Sequence, residues 1–169
     1  HSQAPSANSR LREGHDSFQL SIENLGQEGL YEQIFNQTFH FIGVLEPDGT
    51  LIDANEAALS FGGLTREDVV GEPFWEAYWW QLSDGTQAQL RDAIDRAADG
   101  EFVRFEVEVQ GADRTAIIDF SLRPVSNEHG EIILLVPEGR DITDLKEREQ
   151  ELQRIDRLNT VIRTIVHTV

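Results

Sequence analysis

Between residues 103 and 136 the apolar residues fall into three strand-length runs whose periods differ, and this pattern constrains the fold more than any other feature. In "FVRFEVEV" Val103, Phe105, Val107 and Val109 alternate with Arg104, Glu106 and Glu108, which is a strand with one wet face and one dry face. In "TAIIDFSLRPV" Ile118, Phe120 and Leu122 repeat that period, whereas "IILLV" is apolar throughout and is expected to run centrally with both faces covered. Gly111 with Asp113, and Asn127 with Gly130, mark the turns between them. Such a chain builds an antiparallel sheet and needs a second layer to cover its dry face.

The first half supplies that layer. "FHFIGVLE", "PDG" and "TLIDAN" spell a strand, a tight turn and a second strand. Asn55 is placed to cap the helix "EAALSFGG", which its glycine pair ends, and "TRED" from Thr65 to Asp68 is a capping box opening one further turn through Val69 and Val70. "SDGTQAQLRDAIDRAADG" reads as a longer helix with Leu90, Ile94 and Ala97 on one side. Between these lies "GEPFWEAYWWQL", residues 71–82, which holds all three tryptophans of the chain. Upstream, residues 1–17 are polar and read as a flexible tail, and residues 18–37 as an N-terminal flanking segment in which Leu30, Ile34 and Phe35 have helical spacing. His40, Ile42 and Val44 alternate with inward Phe39, Phe41 and Leu45. The outward apolar pair needs a cover, either the entry helix Gly29 to Gln37 of the same chain or that of a dimer mate.

From Asp141 onward everything favours helix. A heptad starting at Leu145 puts Leu152, Ile155, Ile162, Val166 and Val169 at a and d positions, with Arg148 at one d, Asn159 at one a, and Leu158 and Ile165 widening the stripe at g. Asparagine at an a position selects register and pairing. The expectation is a homodimer through the flanking helices; the alternative is an amphipathic helix packed on its own domain.

Charge and composition remove several functions. Acidic residues outnumber basic ones 31 to 14, a net charge of −17, and Lys146 is the one lysine, a balance that suits a protein kept soluble in concentrated salt. Nucleic-acid binding by these residues is not expected, since phosphate contacts need clustered Lys and Arg. The chain has no cysteine, hence no thiolate site, and His1, His15, His40, His129 and His167 have no metal-ligand spacing. Neither a Walker sequence nor a G-x-S-x-G or dinucleotide fingerprint occurs, so no catalysis is expected. No stretch approaches the roughly 20 apolar residues of a membrane span, and a cytoplasmic location is expected.

The order helix, strand, strand, three helical pieces, three strands, long helix resembles that of a PAS domain. "GVLEPDGTLIDANEAALSFGGLTREDVVGEPFWE" resembles its first half, and "PVSNEHGEIILLVPEGRDITDLKERE" its last hairpin and Asp-Ile-Thr exit at Asp141, Ile142 and Thr143. The resemblance implies an α+β fold: a five-stranded antiparallel sheet over residues 38–143 with helices on one face, plus the entry helix and a C-terminal signalling helix over 144–169. It places a cavity between sheet and helices, with Phe61, Phe74, Trp75, Trp79, Trp80, Phe105 and Phe120 as candidate lining, although such rings also serve simply as core. It implies a relay hinge at Arg140, Asp141 and Thr143 that passes a change to the helix carrying Leu145, Leu152, Ile155, Asn159, Ile162 and Val166. Cysteinyl-flavin relatives need a cysteine, and many haem relatives a histidine on the long helix. This chain has neither there, which leaves a small organic ligand or none.

"PFWEAYWW" with "DFSLRPV" looks like a subgroup found in sensor histidine kinases and in haloarchaeal regulators of the bacterio-opsin activator type, where Thr-Pro often stands in place of Ala77 and Tyr78. The cavity is expected to differ there. The implied effector is a transcription regulator; a histidine kinase, or a purely structural dimerisation module, is the alternative. His167 is followed by Thr168 rather than by an acidic residue, so it reads as a helix-face histidine and not as a phosphoacceptor.

Overall fold

The computed structural model describes residues 29–168. The polar tail, residues 18–28 of the flanking segment, and Val169 at its d position lie outside the described residues. The elements are α1 (Leu30–Asn36), β1 (Phe41–Leu45), β2 (Leu51–Ala54), α2 (Glu56–Gly62), α3 (Arg66–Val69), two 3₁₀ turns (Phe74–Glu76 and Tyr78–Trp80), α4 (Asp84–Ala98), β3 (Val103–Gln110), β4 (Thr115–Ser126), β5 (Ile132–Asp141) and α5 (Thr143–Thr168). The strands form one sheet in the order β2-β1-β5-β4-β3, each neighbour antiparallel.

Local chemistry sets the element ends. Gly49 takes φ 94° at the β1–β2 turn, where the Glu46 N–H donates to the Thr50 carbonyl at 2.9 Å. Asn55 caps α2 by accepting from the Ala58 N–H at 3.1 Å, and Gly63 closes that helix in the left-handed region. The Thr65 N–H donates to the Asp68 carboxylate at 2.8 Å, closing the capping box and holding that carboxyl below its usual range. Ser83 caps α4 through the Thr86 N–H.

Two cores lie on opposite faces of the sheet. On the inner face Leu45, Leu51, Val103, Ile118, Phe120, Leu122 and Leu135 meet Leu59 of α2, Val69 of α3 and Leu90 and Ile94 of α4. On the outer face Phe35 of α1 packs on Val44, Ile52 and Leu134, with Tyr31 and Ile42 beside them. The cover for the outward residues of β1 is thus α1 of the same chain. An extra residue in β2 makes this possible: the register shifts between Val44 and Leu45, so that Ile52 and Asp53 share the space opposite Val44.

The strand pattern departs from the expected one at two residues. Phe39 is 98% exposed, because β1 begins only at Phe41 and the alternation does not extend upstream. β5 is central, yet Ile133 is exposed, because it sits beside the bulge at the turn end of the β4–β5 hairpin. Leu134 and Leu135 are covered on opposite faces, as the unbroken apolar run requires.

Candidate functional site: an aromatic cavity and its path to the exit helix

A cavity of about 50 Å³ lies between the inner sheet face and the helical layer. Its floor is β1 at Gly43 and β5 at Pro137 and Gly139, and its roof is the tryptophan segment. Phe61, Phe74, Trp79, Trp80 and Phe120 line it as expected. Trp75 and Phe105 do not. Trp75 lies against Gly49 and Ile94 with the Arg91 guanidinium 5.0 Å above its ring, and Phe105 packs behind Phe120 at 5.2 Å.

The roof residues hold one another edge to face. Phe74 meets Trp80 at 5.5 Å and Trp80 meets Phe120 at 5.0 Å, interplanar angles of 72° and 78°. Each such ring buries roughly 150–250 Å², or about 4–6 kcal/mol of gross transfer free energy, so the roof is also core. Polar bonds fix its orientation: the Trp79 indole N–H donates to the Ala58 carbonyl at 3.0 Å, and the Tyr78 hydroxyl to the Gly111 carbonyl at 3.1 Å. Ala77 is buried, and neither it nor Tyr78 lines the cavity. Tyr78 thus ties the roof to the β3–β4 hairpin and does not shape the wall.

At the mouth, the half-buried Phe41 and Phe61 rings stack at 5.0 Å. The hairpin passes under Phe61 so closely that a Cβ on Gly111 would come within 2.6 Å of its ring. The guanidinium of Arg114, in the same hairpin, lies 5.3 Å from the Phe61 centroid and donates to the Asp141 carboxylate at 2.6 Å. Asp141 accepts in addition from the Thr143 N–H at 3.0 Å and hydroxyl at 2.6 Å. Burial alone would raise the Asp141 carboxyl, but the bonds from Thr143 and Arg114 prevail and hold it below the usual range.

The hinge expected at Arg140, Asp141 and Thr143 is therefore built from Asp141 and Thr143, but with a different cation. Arg140 is exposed and acts only at a distance on Asp119. Arg114, 27 residues upstream of Asp141, is the bonded partner. Only the β4–β5 register brings it there, and the sequence carries no signal for it beyond a lone arginine in a turn. The junction is tied to β4 by main chain too: the Ile117 N–H donates to the Thr143 hydroxyl at 3.0 Å, and the Ile142 N–H to the Ile117 carbonyl at 2.8 Å. Lys146 adds a bridge to Glu106 of β3 at 2.8 Å. α5 itself has no buried residue: Leu145, Leu152, Ile155, Ile162 and Val166 are all exposed, and so is Asn159. Among the described residues no cluster of His, Asp and Glu could hold a metal, and no helix is long and apolar enough to cross a membrane.

The family model described as PAS fold matches residues 35–147. The sensor histidine kinase TmoS of Ectopseudomonas mendocina is 39% identical over 131 residues, 76% of this chain and 14% of that protein. The hybrid signal transduction histidine kinase D of Dictyostelium discoideum is 39% identical over 124 residues, 72% of this chain and 8% of that protein. The chain thus spans a small part of the curated relatives it matches. Among solved structures, the PAS domain of BvgS from Bordetella pertussis superposes with a TM-score of 0.58 at 21% identity, covering 76% of this chain and 95% of that one. The order of elements, the sheet, the cavity between its layers and the family match agree, and the chain belongs to the PAS-fold family, the sensory modules of signal-transduction proteins.

Proposed function

We propose that the chain is the sensory and dimerisation module of a longer signalling protein, and that occupancy of the cavity is relayed through Phe61, Arg114 and Asp141 to α5. The observation that carries this is the unbroken set of contacts from cavity mouth to exit helix. Phe61 stacks on Phe41 and under Arg114, Arg114 holds Asp141, and Asp141 holds the first residue of α5. A ligand that displaces the Phe61 ring alters Arg114, the cation of the hairpin that holds the helix start through Asp141. The equilibrium between two arrangements of α5 then shifts by the difference in ligand affinity for them. The exposed heptad stripe supports pairing with α5 of a second copy. The module itself performs no catalysis in this reading and works in a cytoplasm of high salt, as its net charge of −17 supports, with melting temperature expected to rise from millimolar to molar salt.

For the effector, the identity to histidine kinases favours a kinase downstream of α5. A transcription regulator of the haloarchaeal bacterio-opsin activator type is the second reading, favoured by Thr168 after His167, which denies that histidine the acidic neighbour of a phosphoacceptor. The test is made in the full-length parent. Arg114→Ala is expected to fix the output at one level whatever the stimulus, with the protein folded and dimeric. An output that still responds normally in Arg114→Ala and in Asp141→Ala overturns the relay. ATP-dependent phosphorylation of the parent, against sequence-specific DNA binding, decides between the effectors.

A further inference from the structure

We propose that the main-chain carbonyl of Gly43 is the polar anchor of the cavity, which takes a small uncharged molecule with an apolar body and one N–H or O–H donor. This deepens the reading of the cavity as the input site and rests on it. The starting point is a proline where a sheet ordinarily has none. β5 is the central strand, and Pro137 within it has no N–H to give to a neighbour. The β1–β5 ladder pairs Phe41 with Gly139 and Ile42 with Glu138, and resumes at Leu45 with Leu135. It is interrupted at the intervening positions, where Gly43 stands opposite Pro137.

The direction of the Gly43 carbonyl follows from its neighbour. The Ile42 N–H donates to Asn55 Oδ1 at 3.1 Å and the Ile42 carbonyl accepts from the Asn55 N–H at 2.8 Å, so the main-chain groups of Ile42 face away from β5. Main-chain groups alternate sides along a strand, and those of Gly43 face β5 and Pro137. The carbonyl is thus aimed at the one residue type that cannot donate to it, in a place where an unmet acceptor is costly. Gly43 and Pro137 both line the cavity, and Gly43 brings no side chain to shield the oxygen. A Cβ there would sit 3.1 Å from Pro137 Cγ and 3.2 Å from the Asp53 carbonyl, so a larger residue would crowd this floor.

The rest of the wall defines the other half of the ligand. It is aliphatic and aromatic, and the carboxylate of Glu138, the one charged residue at its edge, is exposed and paired with His40 at 3.2 Å. A charged ligand would lose its hydration without a counter-ion, and a hydrocarbon would leave the carbonyl unmet. One donor on a flat body satisfies both, because the edge-to-face rings of the roof suit an aromatic face. The cavity, about 50 Å³, holds roughly four water-sized groups at about 10–15 Å³ each, so a ring enters by moving the half-buried Phe41 and Phe61 pair at the mouth aside.

The test titrates the 169-residue chain with phenol and, separately, benzene, which differ by the one donor. Dissociation constants are read by NMR, and the Gly43 carbonyl carbon is followed through the amide of Val44. Phenol is expected to bind at least about fivefold more tightly and to shift that carbonyl, which benzene leaves in place. Pro137→Val restores an N–H opposite Gly43 at similar bulk, and is expected to bring the ratio to about one in a folded chain; Pro137→Ala serves if valine disturbs the sheet. Equal affinities, binding of neither compound, an unmoved Gly43 carbonyl, or a preference that survives the proline substitutions overturns the anchor. Because the readout is binding, this fails separately from the relay, which is read in the output of the parent protein.

Discussion

The two flanking helices behave in opposite ways. α1 has only 7 residues, a single turn or two that would not persist alone, yet it is docked. Phe35 is buried in the outer core, and the Tyr31 hydroxyl donates at 2.9 Å to Asp53, a buried carboxylate that also takes the Arg66 guanidinium at 2.7 Å. Burial and the Asp53 charge push the Tyr31 phenol far up, so it remains a donor at any physiological pH. α5 has 26 residues and buries none of them. The short helix is part of the domain, whereas the long one is tied only at its first turns and presents its apolar stripe outward. Length alone would have suggested the reverse.

Four measurements sharpen or break that contrast. The largest effect is expected for Phe35→Ala, which should cost about 3 kcal/mol in urea unfolding, the usual range for emptying a buried phenylalanine site. Next, Leu152→Ala with Ile155→Ala should leave the melting of the monomer unchanged while weakening self-association at least tenfold in sedimentation. A loss of monomer stability comparable to that of Phe35→Ala would mean instead that α5 packs on its own domain. Arg114→Ala should cost below about 1 kcal/mol, since the pair with Asp141 is half exposed, but should raise hydrogen exchange selectively in the first turn of α5.

The smallest effect is a pH dependence. The Asp141 carboxyl is held down in the folded chain, so its contribution is present above the ordinary carboxylate pKa and is lost as pH falls through the lowered value. Acidification below about pH 4 should therefore loosen the start of α5 in the parent sequence, and Asp141→Asn should show the looseness already at neutral pH. An α5 start that is equally protected in both at pH 7 would remove the carboxylate from the junction.

Much of this architecture was legible because it depends on local chemistry. The alternation of β3 and β4, the Asn55 cap, the Thr65–Asp68 box and the glycine turns each follow from residues within a few positions of one another. What was not legible depends on register between distant strands. Phe105 alternates correctly and faces inward, but only the packing of Phe120 in front of it keeps it from the cavity. Trp75 shares a segment with Phe74 and Trp80, yet the 3₁₀ turn swings it toward Gly49. Arg140 stands next to Asp141 in sequence, but strand alternation sends its side chain elsewhere, and the partner comes from the adjacent hairpin. Phe39 departs from the pattern for a simpler reason: alternation holds only within a strand, and β1 starts two residues after it.

The roof over the cavity consists of two single 3₁₀ turns, Phe74–Glu76 and Tyr78–Trp80, set between α3 and α4. The segment's main chain is pinned to the β1–β2 hairpin, where the Gly71 N–H donates to the Leu51 carbonyl and the Phe74 N–H to the Gly49 carbonyl, each at 2.9 Å, and side chains fix the rest: an indole on a carbonyl, a phenol on a hairpin, rings on rings. The β1-β5-β4-β3 ladder and the caps of α2 and α4 are formed without it. Replacing the rings of this stretch can therefore redraw what the chamber admits while the strand order is kept, at the cost of the packing they give the inner core. The roof of the chamber is thus written in one contiguous stretch, whereas the strand order is written in residues far apart along the chain.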